Sequence, residues 1–336
     1  DLKQPLNLVT RDWLRTASTS LSRMSASEVK NRVGSAIADE LSDTYGVAQC
    51  VELYDAALAP VAPAIAAILD SFQPAFFDLV IDEAAVDNGA RYQRQFLDIG
   101  CGSGGFTLKH LLPRLPSWCG KLVAADNSPS MLTFARENRS HPKVHYRELD
   151  LLVDEDVARF VRAQGSFQRV YSFLALHWIT DHRHAMRNIE ALLAPGGECF
   201  LLFSSNMLVF DVFAAMAKSS RWSKYSDMLL RVLPETRDME DVATLRSHLV
   251  NVVRATKLLP LACEVFRINA GHGLSQDMAL DFISILNPVY PLLNKEEKAE
   301  LRSFTEDFVK NFRKKPGGRA LGEHYVLVIH ASKPLQ

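Results

Sequence analysis

Cysteine is scarce in this chain, and long apolar runs are absent. The 336 residues contain five cysteines and no Cys-x-x-Cys pair. An odd, scattered set of this kind is typical of a reducing compartment and lacks the spacing of a cysteine-ligated zinc site. We therefore predict a cytoplasmic protein without a metal. No apolar run reaches the roughly 18 residues of a membrane span. The net charge of −1 gives no general attraction to nucleic acid.

Residues 1–50 are predicted to be an extension in front of the main domain. Residues 1–26 are rich in Ser, Thr and Arg, which is typical of a disordered tail and compatible with a transit peptide. Apolar positions recur with helical spacing over residues 27–49, which predicts an amphipathic helix. The domain itself is predicted to cover residues 51–336. It begins with a helical stretch over residues 51–69 that two prolines interrupt.

A glycine-rich turn follows the first predicted strand. The run Phe96–Thr107, Phe-Leu-Asp-Ile-Gly-Cys-Gly-Ser-Gly-Gly-Phe-Thr, passes from apolar residues through four glycines into a helical pattern. Glycines here let backbone N–H groups and a helix N-terminus approach a ligand closely, which is typical of a nucleotide-binding loop. Gly100, Gly102 and Gly105 also match the dinucleotide pattern Gly-x-Gly-x-x-Gly. Asp126 follows at the distance that this pattern expects.

Asp98 argues against a dinucleotide. It lies two residues before the first glycine, where its carboxylate would repel a pyrophosphate. S-adenosylmethionine carries a sulfonium and an ammonium and has no phosphate, so an acid here suits it directly or through water. The pattern Asp-x-Gly-x-Gly-x-Gly resembles the first motif of class I S-adenosylmethionine-dependent methyltransferases. The resemblance implies S-adenosylmethionine as the cofactor.

Strands and helices alternate regularly from this loop onward. Helices between consecutive strands require a parallel sheet with right-handed crossovers, and ligands bind at the carboxyl ends of its strands. We therefore predict an α/β fold. The resemblance implies a Rossmann-like class I methyltransferase whose seven-stranded, mostly parallel sheet has an antiparallel last strand. Apolar and aromatic residues with helical spacing predict a helical cap at about 205–245 and 275–312. We expect Pro195-Gly196-Gly197 to end the helix before the fifth strand. The predicted strands are Phe96–Gly100, Lys121–Ala125, Val144–Leu149, Gln168–Phe173, Glu198–Ser204, Cys263–Asn269 and His324–Ala331.

Asp98, Asp126 and Asp150 all follow or end predicted strands. Asp126 is placed to accept hydrogen bonds from both ribose hydroxyls. Asp150 is placed to accept one from the adenine amino group, with Leu149 or Leu151 against the ring. A single Asp after a strand is more often a helix cap, but three beside one glycine loop favour a cofactor site. The residues predicted to bind the cofactor are Asp98, Gly100, Cys101, Gly102, Gly104, Asp126, Asn127, Asp150, Leu151 and Phe173.

A narrower resemblance begins at the fourth strand. The run Ser172–Ile179, Ser-Phe-Leu-Ala-Leu-His-Trp-Ile, together with Phe210–Phe213, Phe-Asp-Val-Phe, resembles the juvenile hormone acid O-methyltransferases of arthropods. The likeness covers roughly residues 53–332. It implies methylation of the carboxylate of a small hydrophobic acid such as farnesoic or juvenile hormone acid. Trp178 matches the family's carboxylate contact, and His177 beside it is a candidate second donor or proton relay.

The sequence leaves the methyl acceptor open. The insect enzymes place a glutamine at the position that corresponds to Val61, so a polar acid, an amine or a phenol is the alternative acceptor. Binding of cofactor or lipid without turnover is a third hypothesis. The apolar cap segments suit a long acid, at about 0.8 kcal/mol per buried methylene, although such helices are more often core. His177 and Trp178 can likewise be a packed pair at a strand end.

Overall fold

A seven-stranded mixed sheet organises the chain. The computed structural model describes residues 51–77, 94–269, 275–313 and 323–335. The strands are β1 Gln95–Ile99, β2 Lys121–Asp126, β3 Val144–Glu148, β4 Phe167–Phe173, β5 Leu193–Ser204, β6 Leu259–Asn269 and β7 Glu323–Ser332. Their order is β3-β2-β1-β4-β5-β7-β6, and β7 is antiparallel to both of its neighbours while the pairs from β3 to β5 are parallel. The predicted α/β fold and its antiparallel last strand are confirmed.

Helices cover both faces of this sheet because its strands alternate buried side chains. Leu97 and Ile99 pack on one face with α4, α5 and α8, whereas Phe96 packs on the other with α2 and α3. A third apolar cluster joins α6, α7, α9 and α10 into the cap. The helices are α1 Val51–Leu58, α2 Ala62–Phe72, α3 Pro129–Asn138, α4 Asp154–Gln164, α5 His182–Leu192, α6 Leu208–Lys218, α7 Ser226–Arg231, α8 Val242–Arg254, α9 Gln276–Ile285 and α10 Lys295–Arg313.

Local signals set several helix starts. The Ser128 hydroxyl accepts the Met131 N–H at the start of α3, where Pro129 occupies the first helical position. Asp181 accepts the His184 N–H at the start of α5 in the same way, at 2.8 Å. These caps hold the loops after β2 and β4 in place. Both loops belong to the edge of the sheet where the glycine turn lies.

The boundary before β5 differs from the prediction. Helix α5 ends at Leu192 and β5 begins at Leu193, so Pro195-Gly196-Gly197 lies within the strand and does not end the helix. Leu193 pairs with Phe167, and the pairing resumes only at Glu198, which leaves a bulge between them. The bulge needs glycine, because Gly196 has φ +73° and a Cβ on Gly197 would lie 2.9 Å from backbone carbonyl oxygens.

Two other predicted helices are irregular. The stretch after the glycine loop forms a π-helical turn, Thr107–Leu111, followed by a 3₁₀ turn that begins at Leu112. The predicted helix over 275–312 is two helices, α9 and α10, separated by a 3₁₀ turn at Tyr290–Leu292. Pro288 and Pro291 fall in this interruption, where their missing N–H groups prevent a continuous α-helix.

A buried polar network lies towards the amino ends of the strands. Arg169 of β4, Glu198 of β5 and His330 of β7 are each at most 3% exposed. Glu198 accepts hydrogen bonds from His330 Nε2 at 2.9 Å and from the Phe77 N–H at 3.0 Å. The Arg169 guanidinium lies 4.5 Å from the centre of the Phe76 ring and donates to the Phe77 carbonyl. Through its contacts with Phe76 and Phe77, the network connects the segment after α2 to the sheet.

The predicted extension over residues 1–50 lies outside the residues that the structure describes.

Among the described residues, no single helix has the length and apolar composition of a membrane span. Only the bent pair Val51–Leu58 and Ala62–Ala75 meets those two criteria.

Candidate active site

The glycine loop follows β1 and has a backbone that few other residues could adopt. Gly100 has φ +74°, and its N–H donates to the Ala125 carbonyl at 2.7 Å. A Cβ at Gly100 would lie 2.2 Å from Ala175 Cβ, so the loop packs against the chain that follows β4. Gly104 has φ +77°, and a Cβ there would lie 2.5 Å from the Tyr146 hydroxyl. Glycine at these two positions therefore lets the loop backbone pack closely against the chain after β4 and against Tyr146.

Asp98 is buried beneath this loop. It is 3% exposed, and its Oδ2 accepts a hydrogen bond from Thr107 Oγ1 at 2.7 Å. Burial raises the pKa of the Asp98 carboxyl to about 7, against the Thr107 hydrogen bond, and the charge of Asp126 raises it further. Burial also raises the pKa of the neighbouring Cys101 thiol well above its usual range, so that thiol is neutral. A cation beside Asp98 would favour its ionised form.

Asp126 joins the glycine loop to the start of α3. Its Oδ2 accepts the Gly102 N–H at 2.8 Å, and its Oδ1 accepts the Ser128 N–H at 2.9 Å. Burial raises the pKa of the Asp126 carboxyl, while backbone hydrogen bonds from Gly102, Ser128 and Asn127 oppose the shift. A carboxylate offers about four acceptor positions, so these amides leave capacity for hydroxyl groups of a ligand.

Asp150 and the apolar cofactor candidates line the neighbouring loops. Asp150 Oδ1 accepts the Leu152 N–H at 2.9 Å, which closes the turn after β3. Leu151 is 5% exposed and belongs to the core cluster on the α4 and α5 face. Phe173 ends β4 with its ring centre 4.9 Å from that of Phe106. The predicted cofactor residues thus come from the carboxyl-terminal parts of β1, β2 and β4 and from the loops after β1, β2 and β3, at one edge of the sheet.

His177 and Trp178 lie on a 3₁₀ turn, Leu176–Trp178, shortly after β4, and both rings lie near Phe210 of α6. The Trp178 ring is half-buried against the cap, with its centre 5.2 Å from that of Phe210 at an angle of 69°. His177 is 3% exposed, and its Nδ1 accepts the Ser204 N–H at 3.4 Å. The structure thus presents Trp178 to the cap and encloses His177 against the end of β5. The catalytic role of each stays a prediction.

Helix α1 contributes residues that the sequence analysis did not single out. Asp55 forms an ion pair with Arg139, and the Ser103 hydroxyl donates to Asp55 Oδ1 at 3.2 Å. Arg139 also donates to Ser103 Oγ at 2.9 Å. Burial, followed by the charges of Asp126 and Asp55, raises the pKa of the Tyr54 hydroxyl. Tyr54 Cε1 lies 3.9 Å from where a Cβ on Gly102 would be, so α1 covers the glycine loop.

Leu174 is a second residue without a sequence signal. It has φ +54°, the only positive φ of a non-glycine residue among the described positions. This left-handed conformation is costly for a branched side chain. The Leu174 N–H donates to the Leu202 carbonyl at 2.8 Å, which holds the strained residue between β4 and the Trp178 turn. The strain lies at the same sheet edge as the glycine loop.

Comparisons with known proteins relate this chain to methyltransferases. A family profile described as a methyltransferase domain matches residues 97–201, from β1 to β5. Juvenile hormone acid O-methyltransferase of Bombyx mori is 33% identical over 43% of this chain and 50% of its own length. The Drosophila melanogaster protein of the same name is 30% identical over 44% of this chain and 50% of its own length. Trans-aconitate 2-methyltransferase of Rhodopseudomonas palustris (strain BisA53) is 26% identical over 71% of this chain and 88% of its own length. The chain spans about half the length of the two insect relatives.

Proposed function

We propose that this chain, which carries a class I S-adenosylmethionine-dependent methyltransferase domain, methylates the carboxylate of a hydrophobic acid, isoprenoid or fatty, such as farnesoic or juvenile hormone acid. The position of Trp178 carries the proposal. Its half-buried indole lies between the end of β4 and the apolar cap. An indole N–H donates a hydrogen bond without adding a charge that would weaken a carboxylate nucleophile. Relatives named for the methylation of carboxylic acids support the same acceptor class.

The residues at the sheet edge fit S-adenosylmethionine. Gly100 and Gly104 pack tightly against Ala175 and Tyr146, whereas a Cβ at Gly102 would have nothing closer than Tyr54 Cε1 at 3.9 Å, so this part of the loop leaves room for close approach. Asp126 keeps acceptor capacity for the two ribose hydroxyls beside its two amide hydrogen bonds. The buried Asp98 carboxyl would be stabilised in its ionised form by a cationic ligand, and Asp150 is the candidate partner of the adenine amino group. When bound, the cofactor supplies an electrophilic methyl group on its sulfonium.

With a carboxylate acceptor, the protein has only to align the acceptor with the cofactor and to exclude water from the site. The acceptor is ionised at pH 7, so no residue has to remove a proton from it. This suits a site in which His177 is enclosed and Trp178 is the accessible polar side chain on the turn. The apolar cap contributes by keeping water away from the acceptor carboxylate, which strengthens its electrostatic contacts.

The cap also supplies apolar surface for a long acceptor. Partly buried side chains next to its core include Leu53, Met207, Leu208 and Phe282, all in the same cluster as Trp178. Each methylene that such a surface buries contributes about 0.8 kcal/mol. Val61, at the position of the insect glutamine, is 8% exposed and packs with the core on the α2 face of the sheet. In this proposal Trp178 is therefore the main polar contact of the acceptor carboxylate.

Turnover on a panel of acids tests the proposal. The full chain is incubated with S-adenosylmethionine and farnesoic acid, saturated fatty acids or trans-aconitate, and S-adenosylhomocysteine is measured. We expect the isoprenoid or fatty acids to be turned over faster than trans-aconitate. Turnover restricted to trans-aconitate would replace the hydrophobic acceptor with a polar acid. Cofactor binding without turnover of any acid would contradict carboxyl methylation.

Trp178→Phe separates the acceptor contact from packing. Phenylalanine keeps an aromatic ring against Phe210 but cannot donate a hydrogen bond. Loss of a hydrogen bond to a charged group costs about 1.5–3 kcal/mol, so we expect turnover to fall roughly 10–100-fold with little change in cofactor affinity. Trp118→Phe is the matched control, because Trp118 is also half-buried but packs on Phe96 of β1. Equal losses of turnover and cofactor affinity in Trp178→Phe would make Trp178 structural.

A further inference from the structure

Two histidines and a glutamate meet outside the proposed cofactor site. They are His182 at the start of α5, Glu235 in the loop after α7 and His248 within α8. His182 Nδ1 lies 3.1 Å from His248 Nε2 and 3.2 Å from Glu235 Oε1. His248 Nε2 lies 3.6 Å from the same carboxylate oxygen. Three atoms of the kinds that bind transition metals therefore form a small triangle.

The dimensions of this triangle match one face of a tetrahedral metal site. Zinc bonds to imidazole nitrogen and carboxylate oxygen are about 2.0–2.2 Å long, which places tetrahedral ligand atoms about 3.3–3.5 Å apart. The three observed separations of 3.1, 3.2 and 3.6 Å bracket that range. An ion of this size can bind to all three atoms with small side-chain adjustments. Two imidazoles and one carboxylate are also a donor set that suits zinc.

The hydrogen bonding of His182 makes Nδ1 the atom that faces a cation. Its Nε2 lies 3.1 Å from the Leu176 carbonyl oxygen, which only accepts, so Nε2 carries a proton. In a neutral ring Nδ1 then presents a lone pair, yet the Glu235 oxygen 3.2 Å away is also an acceptor. A metal ion in the triangle, a second proton on the ring, or a proton on His248 Nε2, which lies 3.1 Å from Nδ1 and 3.6 Å from the carboxylate oxygen, bridges this contact. A backbone carbonyl on the other nitrogen is the usual support of a metal-binding histidine.

Burial and backbone anchoring give the cluster a fixed geometry with one open side. His182 and His248 are 3% and 8% exposed, whereas the Glu235 side chain is 37% exposed. Thr236 Oγ1 donates to the Ser205 carbonyl at 2.6 Å, which fixes the chain next to Glu235. An ion can therefore enter past the carboxylate, and water can complete its coordination.

We propose that His182, Glu235 and His248 bind one Zn²⁺ ion, with water as the fourth ligand. The ion would fasten α8 and the loop after α7 to the start of α5, next to the turn that carries Trp178. The expectation of a chain without a metal rested on its cysteines, and these three ligands are far apart in the sequence. The proposal is independent of the methyl acceptor.

Calorimetric titration with ZnCl₂ tests the site. The full chain is first freed of metal with a chelator that is then removed, and we expect one Zn²⁺ per chain. Glu235→Gln and His248→Gln should each weaken zinc affinity at least tenfold, and Co²⁺ in the unmodified chain should show the visible absorption of a tetrahedral site. His184→Gln is the matched control, since His184 is also on α5 and lies 2.6 Å from the Asp154 carboxylate, outside the cluster. Its zinc affinity should not change.

Three outcomes would overturn the proposal. The first is no zinc binding by the unmodified chain. The second is a zinc affinity in both cluster variants equal to that of the unmodified chain, which would locate the ion elsewhere. The third is a doubly protonated His182 in zinc-containing buffer near pH 7, detected by ¹⁵N NMR, which would mean that a proton occupies the place of the ion. None of these measurements requires methyl transfer. A negative result for the zinc site would therefore leave the proposed methyltransferase function untouched.

Discussion

Asp126→Ala is expected to weaken S-adenosylmethionine binding at least tenfold. Asp126 accepts hydrogen bonds from the Gly102 and Ser128 N–H groups and is the predicted partner of the ribose hydroxyls. The substitution removes that partner and also frees the glycine loop from the start of α3. A hydrogen bond to a charged group contributes about 1.5–3 kcal/mol, and about 1.4 kcal/mol is a factor of ten in affinity. Calorimetric titration with the cofactor measures the change directly.

Glu148→Ala is the control for this experiment. Glu148 pairs in register with Asp126 on the adjacent strand, so it carries a carboxylate at the same level of the sheet, but it is exposed. We expect its loss to leave cofactor affinity unchanged. Thermal unfolding of both variants verifies that each is folded. An unchanged dissociation constant in folded Asp126→Ala would remove Asp126 from the cofactor site.

At the sheet edge that carries the glycine loop, the predictable features are those that depend on short stretches of sequence. Strand ends, glycines that need positive φ and the caps at Ser128 and Asp181 depend on residues close together in the chain. That is why the sheet and the positions of Asp98 and Asp126 follow from the sequence. The bulge in β5 did not, because proline and two glycines are as typical of a helix end as of an irregular strand.

Contacts between distant segments had no such signal. Asp55 on α1 looks like an ordinary solvent-facing acid, yet it pairs with Arg139 just after α3 and bonds to Ser103 in the glycine loop. The His182 cluster likewise joins residues that share no motif. Sequence periodicity indicates which face of an element is buried, but not which polar groups meet when three elements pack together. Such contacts require the assembled structure.

Loss of Glu198 should cause the largest decrease in stability. Glu198 accepts from His330 and from the Phe77 N–H, and it lies 3.9 Å from Arg169 Nε within the sheet. Glu198→Ala leaves a buried guanidinium without its carboxylate partner and a buried imidazole without its acceptor. Removing one partner of a buried ion pair costs about 3–5 kcal/mol, a large part of the roughly 5–15 kcal/mol that stabilises a typical protein. Urea unfolding should therefore show a clearly lower midpoint.

The surface ion pair of Glu264 with Arg246 provides the comparison. Their atoms lie 2.8 Å apart, but both side chains are at least 42% exposed, so Glu264→Ala should cost about 1 kcal/mol or less. Cofactor affinity of folded Glu198→Ala should be unchanged, because its contacts lie towards the amino ends of the strands, away from the glycine loop. Similar unfolding midpoints for the two variants would show that the buried network contributes no more than a surface pair. In that case the packing of the buried Phe76 ring, and not the backbone hydrogen bonds of Phe77 to the network, would hold the segment after α2 in place.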